Sequence, residues 1–340
     1  MAATADRSPA FDSILGQYPQ LEAGWHVEEG ESGMNNTTRM VKAANAGQAY
    51  MLRIYNNHRD EEIVQLEHEI LTALNRSAFE LQVPVPVKNR QGSTVTRAED
   101  GRIAGLCQYI PGERPSVANK RQLISLGRAA ASLMQSFSGL PIGRKPIYEP
   151  YFMLESTYGH PGDDVFVRLA DASGKLAGSA EQLRTLQREL GRCGQVCEAA
   201  RRLPRHWIHG DLVMNNTVAS GDDIIGLLDF EFCTVDARAM ELAVSLMDIV
   251  QAGQEGDPLG RAADFCEGFR AGMALTSEEI DLLPGLMKLR MLDVSLHFIN
   301  RYNEGLDGIE VLENIVIGAG NACAWVASCE TELKRLLNAR

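Results

Sequence analysis

The sequence predicts an α+β chain in two lobes: a small β-rich N-terminal lobe over residues 1–109 and a larger, mainly helical lobe over 110–340. Three observations carry this. The chain has 340 residues, more than twice the usual domain length of about 150. Strand-like runs fill the first third, whereas apolar residues spaced three and four apart fill most of the rest. Between them Ile110-Pro111-Gly112 interrupts both patterns, because proline lacks an amide donor and fixes its own φ.

Each element follows from local chemistry. Trp25–Glu29, Thr37–Lys42 and Ala49–Tyr55 read as strands separated by turns that carry Gly and Asn. Glu61–Asn75 switches to helical period, with Ile63, Leu66, Ile70 and Leu74 on one face. Val83–Val87, Ser93–Arg97 and Ile103–Tyr109 are extended, and Pro84 with Pro86 restricts the first to an edge. Beyond the connector, helices are predicted over Lys120–Phe137, Ser179–Arg202, Ala239–Ala252, Gly260–Ala271, Ser277–Asn303 and Val311–Leu337. Pro284 is expected to kink or split the fifth of these. A single β-rich island, Trp207–Phe232, interrupts them.

Composition narrows the function. The chain is 45% hydrophobic and 23% charged, as ordinary globular proteins are, and its net charge is -12. That acidity argues against a nucleic-acid partner, whose affinity is mostly cationic. The longest nearly apolar run, Ile315–Ala327, is 13 residues, shorter than a bilayer needs, so no membrane role is expected and a buried helix is. Asp6 and Arg7 stand where a signal peptide needs apolar residues. Seven scattered cysteines without a CxxC pair predict reduced, packed thiols and a cytoplasmic protein. No phosphate-binding G-x-x-x-x-G-K-[ST] run occurs, and Gly318-Ala319-Gly320 follows no strand, which removes a dinucleotide fingerprint.

The chemistry concentrates in the island, WIHGDLVMNNTVASGDDIIGLLDFEF. Asp211 follows an apolar approach and a glycine; Asn216 lies five positions on; Ile224–Leu228 then reads as a buried strand that ends at Asp229. Two carboxylates and a carboxamide suit Mg²⁺, a hard ion that prefers oxygen ligands. Phosphoryl transfer asks for this set: one carboxylate to accept a hydrogen bond from the attacking hydroxyl, and separate oxygens to hold the metal on ATP. In the small lobe, the Gly- and Asn-rich turn containing Gly33, Asn35 and Asn36 is suited to bring backbone amides to phosphates. Arg53, inside the third strand, is a cation placed to reach them, and Glu69 on the following helix is expected to pair with it, with Glu62 and Glu67 as competitors.

His209-Gly210-Asp211, Asn216 and Asp229-Phe230 together resemble the catalytic and metal-binding segments of the aminoglycoside phosphotransferase / choline kinase superfamily, which has a protein-kinase-like fold. The resemblance runs in order from Gly30 to about Ser245. It implies an ATP- and Mg²⁺-dependent kinase in which Asp211 is catalytic, His209 holds its loop, and Asn216 and Asp229 hold the metal. The segment through Gln108 and Tyr109 looks like the superfamily's lobe connector, whose backbone would read the adenine. Locally the chain is most similar to type II homoserine kinase-like phosphotransferases, in the loop Gly33–Thr38 and in Met240-Glu241-Leu242-Ala243. Glu231 stands where that group carries an aromatic, and Glu241 where it carries Asp.

The phosphate acceptor is expected to be a small, amine-bearing alcohol, homoserine-like or an amino alcohol. Glu231, and the stripe of Arg290, Asp293, His297 and Arg301 on one helix face, are candidates to bind it, although a solvated face produces the same stripe. Tyr148, Tyr151 and Tyr158 lie in an insertion placed where a lid would be useful, and ordinary packing explains them equally well. An antibiotic phosphotransferase would share every catalytic residue and differ in its pocket. A catalytically silent nucleotide-binding protein is the alternative from another class.

Overall fold

The computed structural model describes residues 9–29, 36–44, 47–55, 60–98, 100–159, 164–172, 176–252 and 256–338. Two compact units emerge. The first joins Met1–Glu113 to two later segments, Leu140–Lys145 and Ile225–Glu231; the second holds Arg114–Gly139, Pro146–Ile224 and Phe232–Arg340. Local patterning does not signal the two returning segments, because tertiary contacts alone assign them.

In the first unit, β1 (Trp25–Glu29), β2 (Asn36–Ala43), β3 (Ala49–Tyr55), β4 (Val95–Arg97) and β5 (Ile103–Gln108) form one antiparallel sheet in the order β1-β2-β3-β5-β4. Successive residues of a strand point to opposite faces. Tyr50, Leu52 and Ile54 therefore share one face, where they join Phe11, Ile14, Leu15, Tyr18 and Leu21 in a single core. Three of those partners belong to a short helix, α1 (Pro9–Leu15), in a stretch to which the sequence reading gives no element. Arg53 and Tyr55 point the other way, and Tyr55 packs with Val64, Val95 and Ile103. Val64 comes from α2 (Glu61–Arg76), which starts on Asp60, whose side chain accepts a hydrogen bond from the Glu62 amide. The expected strand over 83–87 reduces to an isolated bridge between Pro86 and Cys107, because its two prolines lack donors.

The second unit is built from α3 (Lys120–Phe137), α4 (Leu154–Tyr158), α5 (Val165–Ala172), α6 (Ala180–Ala200), α7 (Ala239–Gln251), α8 (Pro258–Gly272), α9 (Ser277–Asn303), α10 (Ile309–Ser328) and α11 (Glu330–Asn338). β6 (Arg205–Ile208) pairs antiparallel with β9 (Thr234–Ala237); β7 (Thr217–Ser220) lies in this unit, and β8 (Asp223–Leu227) starts in it and runs into the segment that belongs to the first. α3 and α8 cross backbone to backbone: a Cβ at Gly127 would lie 2.0 Å from the Phe265 carbonyl oxygen, and one at Gly268 1.8 Å from that of Ile124.

Three sequence expectations change here. α9 runs unbroken through Pro284, the one missing amide bond being offset by burial of Leu283, Leu286 and Met287. The helix predicted over Val311–Leu337 ends at Ser328 and restarts at Glu330 as α11. α10, at 20 residues, exceeds the 13-residue apolar run and is the one described helix long and apolar enough to cross a membrane. Its inward positions Leu312, Val316, Ala319, Cys323 and Val326 recur every three or four residues, the spacing of a helix laid against α6 and α9. The seven cysteines are all unbridged, six of them buried.

Candidate active site

The predicted site residues that the described structure brings together form two clusters, one in each unit. In the second unit, His209-Gly210-Asp211 leaves β6 through a turn that only glycine fits: Gly210 has φ +77°, and a Cβ there would meet the Phe232 carbonyl oxygen at 2.7 Å. His209 is fully buried, and its main-chain amide donates to the Glu241 carboxyl. Its Nδ1 accepts from the Asp211 amide at 3.2 Å, which leaves the ring proton on Nε2. The side chain thus fastens the loop. Burial pushes the Glu241 carboxyl up to about 8, against the pull of the His209 and Gly210 amides.

Two partners fix the Asp211 carboxylate. Asn216 Nδ2 donates to Asp211 Oδ2 at 3.0 Å and to its carbonyl at 2.9 Å, and Arg290 Nη2 donates to Oδ1 at 2.7 Å. Arg290 Nη1 also donates to the Tyr151 hydroxyl at 2.7 Å, and that hydroxyl donates to the Gly210 carbonyl at 2.7 Å. Asp293 lies 3.7 Å from Arg290 and accepts from the Tyr158 hydroxyl at 2.8 Å. Burial alone would lower the Arg290 pKa, but Tyr151, Asp211 and Asp293 raise it, so the guanidinium stays charged. Burial raises the Asp293 pKa.

Several of these supports escape sequence reasoning. Ser245 donates to the Leu212 carbonyl at 2.7 Å and Asp248 accepts from the Met214 amide at 2.8 Å, so with Glu241 one face of α7 holds the whole loop. Their signal was present: polar residues at 241, 245 and 248, spaced four and three apart in an otherwise apolar helix. Asp236, pushed by burial up to about 7, positions Tyr151 by accepting its amide at 2.6 Å. Arg301 does not join this cluster. It lies about 16 Å along α9 from Arg290 and pairs with Asp307 at 2.5 Å.

In the first unit the centre is Arg53. Its guanidinium donates to Glu67 Oε1 at 2.9 Å, Asp229 Oδ1 at 2.6 Å and Glu231 Oε2 at 2.8 Å. Burial would lower its pKa, and the surrounding carboxylates raise it well above the ordinary value. Glu67, not Glu69, is therefore the α2 partner. Residues two apart on a helix point about 200° apart, so one register serves Glu67 alone, whose Oε2 also accepts from the Tyr55 hydroxyl at 2.8 Å. Glu69 turns outward, accepting the Gly143 amide at 2.6 Å and lying 3.4 Å from Arg144. Burial, with Asp229 and Glu231 adding to it, pushes the Glu67 carboxyl up to about 7 against the pull of Arg53.

Asp229 is the one non-glycine residue among those described with positive φ, +63°, a strained conformation of the kind that gathers at functional sites. Glu231, expected among the acceptor-binding candidates, is buried and accepts from Arg53 and from Asn36 Nδ2 at 2.9 Å. Gly33 and Asn35 lie outside the described residues. The amides of Gln108 and Tyr109 are committed to the Val85 and Ala49 carbonyls at 2.9 and 3.1 Å, so these two N–H groups are not open to a base.

Among the described residues no cluster of three or more His, Cys, Asp or Glu side chains forms a closed metal cage. A Mg²⁺ ion asks for less than a cage, since it binds through one or two carboxylates and phosphate oxygens and keeps several waters. Asn216 spends its Nδ2 on Asp211, leaving Oδ1 as the ligand-type atom. Asn36 Oδ1 and Arg53 Nε are buried without a partner, polar atoms that a bound ligand would satisfy.

The sequence pattern of the phosphotransferase enzyme family matches residues 26–275, which include both clusters up to Glu241 and Asp248. The chain belongs to the phosphotransferase enzyme family. Phosphotransferases of this family among its relatives include a homoserine kinase of Beijerinckia indica, 28% identical over 244 residues, or 70% of either chain. Among solved structures, the microcompartment-associated aminopropanol kinase superposes with a TM-score of 0.65 at 19% identity, covering 95% of this chain and 97% of its own. An amicoumacin kinase in complex with AMP-PNP, Ca²⁺ and its antibiotic gives a TM-score of 0.65 at 15% identity, covering 96% and 91%. The fold is thus kinase-like, and this phosphotransferase takes an alcohol group as acceptor.

Proposed function

We propose that the chain is an ATP- and Mg²⁺-dependent kinase that phosphorylates the hydroxyl of a small amine-bearing metabolite, homoserine-like in structure. The observation that carries this reading is the fixed Asp211 carboxylate, held by Asn216 on a loop fastened to α7, in a chain whose relatives include homoserine kinases. The acceptor oxygen would form its bond to the γ-phosphorus as the bond to ADP breaks, and its proton would pass to Asp211. Asn216 and Asp229 would hold Mg²⁺, which when bound neutralises charge on the transferring phosphoryl group. Arg53 would turn its unpartnered buried Nε–H to the nucleotide phosphates. Positioning and charge stabilisation supply most of the rate in such a reaction.

The test is Mg²⁺-dependent ADP formation with L-homoserine, choline, ethanolamine, 3-amino-1-propanol and several aminoglycosides, with Asp211→Asn beside the wild type. Turnover of homoserine that the variant loses supports the reading. Turnover confined to an aminoglycoside would replace it with antibiotic phosphorylation, and ATP binding without any turnover would replace it with a silent nucleotide-binding protein.

A further inference from the structure

Arg290 and Asp211 are 79 residues apart in sequence, yet the fold buries their side chains to 18% and 24% exposure and joins them at 2.7 Å. For a carboxylate that is to receive a proton this is an obstacle. Oδ2 accepts from Asn216 and Oδ1 from Arg290, and the guanidinium charge on Oδ1 makes Asp211 a poorer base for an acceptor hydroxyl until that partner leaves. Asn216 is fixed by two bonds to the same residue. Arg290 is the exchangeable partner, because its other links, to the Tyr151 hydroxyl and loosely to Asp293, do not depend on Asp211.

We propose that Arg290 is a specificity-determining residue that trades Asp211 for the acceptor's carboxylate, so that Asp211 loses its cation and becomes the stronger proton acceptor when an anionic acceptor is seated. The proposal rests on the kinase reading above and sharpens its acceptor. Charge balance supports it. The one guanidinium of the cluster, Arg290, faces two acidic side chains, Asp211 at 2.7 Å and Asp293 at 3.7 Å. A zwitterionic amino acid answers every group: its carboxylate takes Arg290, its ammonium takes Asp293, and its hydroxyl takes Asp211 Oδ1. Arg290 and Asp293 are three residues apart on one helix face, with charged atoms 3.7 Å apart, close enough for both to meet the two charges on an α-amino acid. An amino alcohol brings no anion and leaves Arg290 on Asp211. The guanidinium fork binds a carboxylate through two parallel hydrogen bonds, which a lysine does not reproduce.

The experiment uses full-length wild type, Arg290→Met and Arg290→Lys, with melting temperature and nucleotide Kd as controls. L-homoserine and 3-amino-1-propanol share a skeleton and differ by the carboxylate; L-2-aminobutyrate keeps both charges and lacks the hydroxyl. Expected are a wild type that prefers homoserine, a rise of about 100-fold in its KM in Arg290→Met, a partial recovery in Arg290→Lys, and a larger kcat for aminopropanol in Arg290→Met than in wild type. Calorimetric binding of L-2-aminobutyrate should be lost in Arg290→Met. If wild type binds aminobutyrate through Arg290 but phosphorylates no acceptor, the exchange stands and the kinase reading falls. If homoserine is phosphorylated with a KM indifferent to Arg290, or aminobutyrate binds both proteins equally or neither, the exchange is overturned.

Discussion

Each unit organises its chemistry around one buried arginine, and the two arginines are satisfied in opposite ways. Arg53 is met at 2.6–2.9 Å by three carboxylates, a cluster with more acid than base. Arg290 has one close carboxylate, a phenol, and a second carboxylate at 3.7 Å. A cluster rich in carboxylates is made to accept an added cation, since the cation relieves their mutual repulsion. A guanidinium with spare donors is made to accept an added anion. The first arrangement leaves acidic side chains in excess over its guanidinium, the second a guanidinium with a single close carboxylate.

The largest expected effect lies in the second cluster. Asp211→Asn keeps the shape and removes the proton acceptor, so turnover should fall by about 10²–10⁴ while nucleotide Kd holds, as paired steady-state and binding measurements will read. Undiminished turnover would remove Asp211 from the chemistry. In the first cluster, Arg53→Met leaves Glu67, Asp229 and Glu231 facing one another without a cation. It should cost about 3–5 kcal/mol of stability, visible in a denaturant titration, together with nucleotide binding. A fully stable Arg53→Met would mean that the three acids discharge each other by protonation.

Smaller effects sharpen the contrast. Glu67→Gln should weaken nucleotide binding by about tenfold through the loosened Arg53, since a hydrogen bond to a charged group contributes about 1.5–3 kcal/mol. Equal Kd values for Glu67→Gln and wild type would show Arg53 to be held by the other two acids alone. The pH dependence has a definite sign. Glu241 titrates at about 8 in the folded chain against an ordinary 4.5, so between those values the native state keeps a proton that the unfolded state has released. Its contribution makes stability fall as pH rises through that window, with Glu67 and Asp236, both at about 7, acting in the same direction. Glu241→Gln keeps an acceptor for the loop amides and should flatten the fall of melting temperature over about pH 5–8; an unchanged slope would assign it to the other two acids. Glu69→Gln, at the half-buried outer face of α2, keeps an acceptor for the Gly143 amide and should change stability by less than about 0.5 kcal/mol and leave nucleotide Kd alone.

How much of this was legible follows residue by residue. The strand that carries Arg53 and the loop that carries Asp211 and Asn216 announce themselves through local period and spacing. Glu67 and Glu69 both sit on a recognisable helix, but which of them faces the sheet depends on how α2 is rotated over β3, a tertiary quantity that no single period encodes. Arg290 was legible as part of a polar stripe, whereas its ion pair with a residue 79 positions away was not. α1 escaped because seven residues are two helical turns, too few for a period to stand out, and its stability comes from the sheet core it joins.

The crossing of α3 and α8 adds a caution for anyone who maps this chain by random substitution. Any side chain at Gly127 or Gly268 must push one backbone away from the other by more than an ångström, and neither helix contributes a group to the two arginine clusters. A tolerance map would therefore mark both glycines as strongly as Asp211. Only a measurement that separates abundance from turnover would tell the hinge pin from the blade.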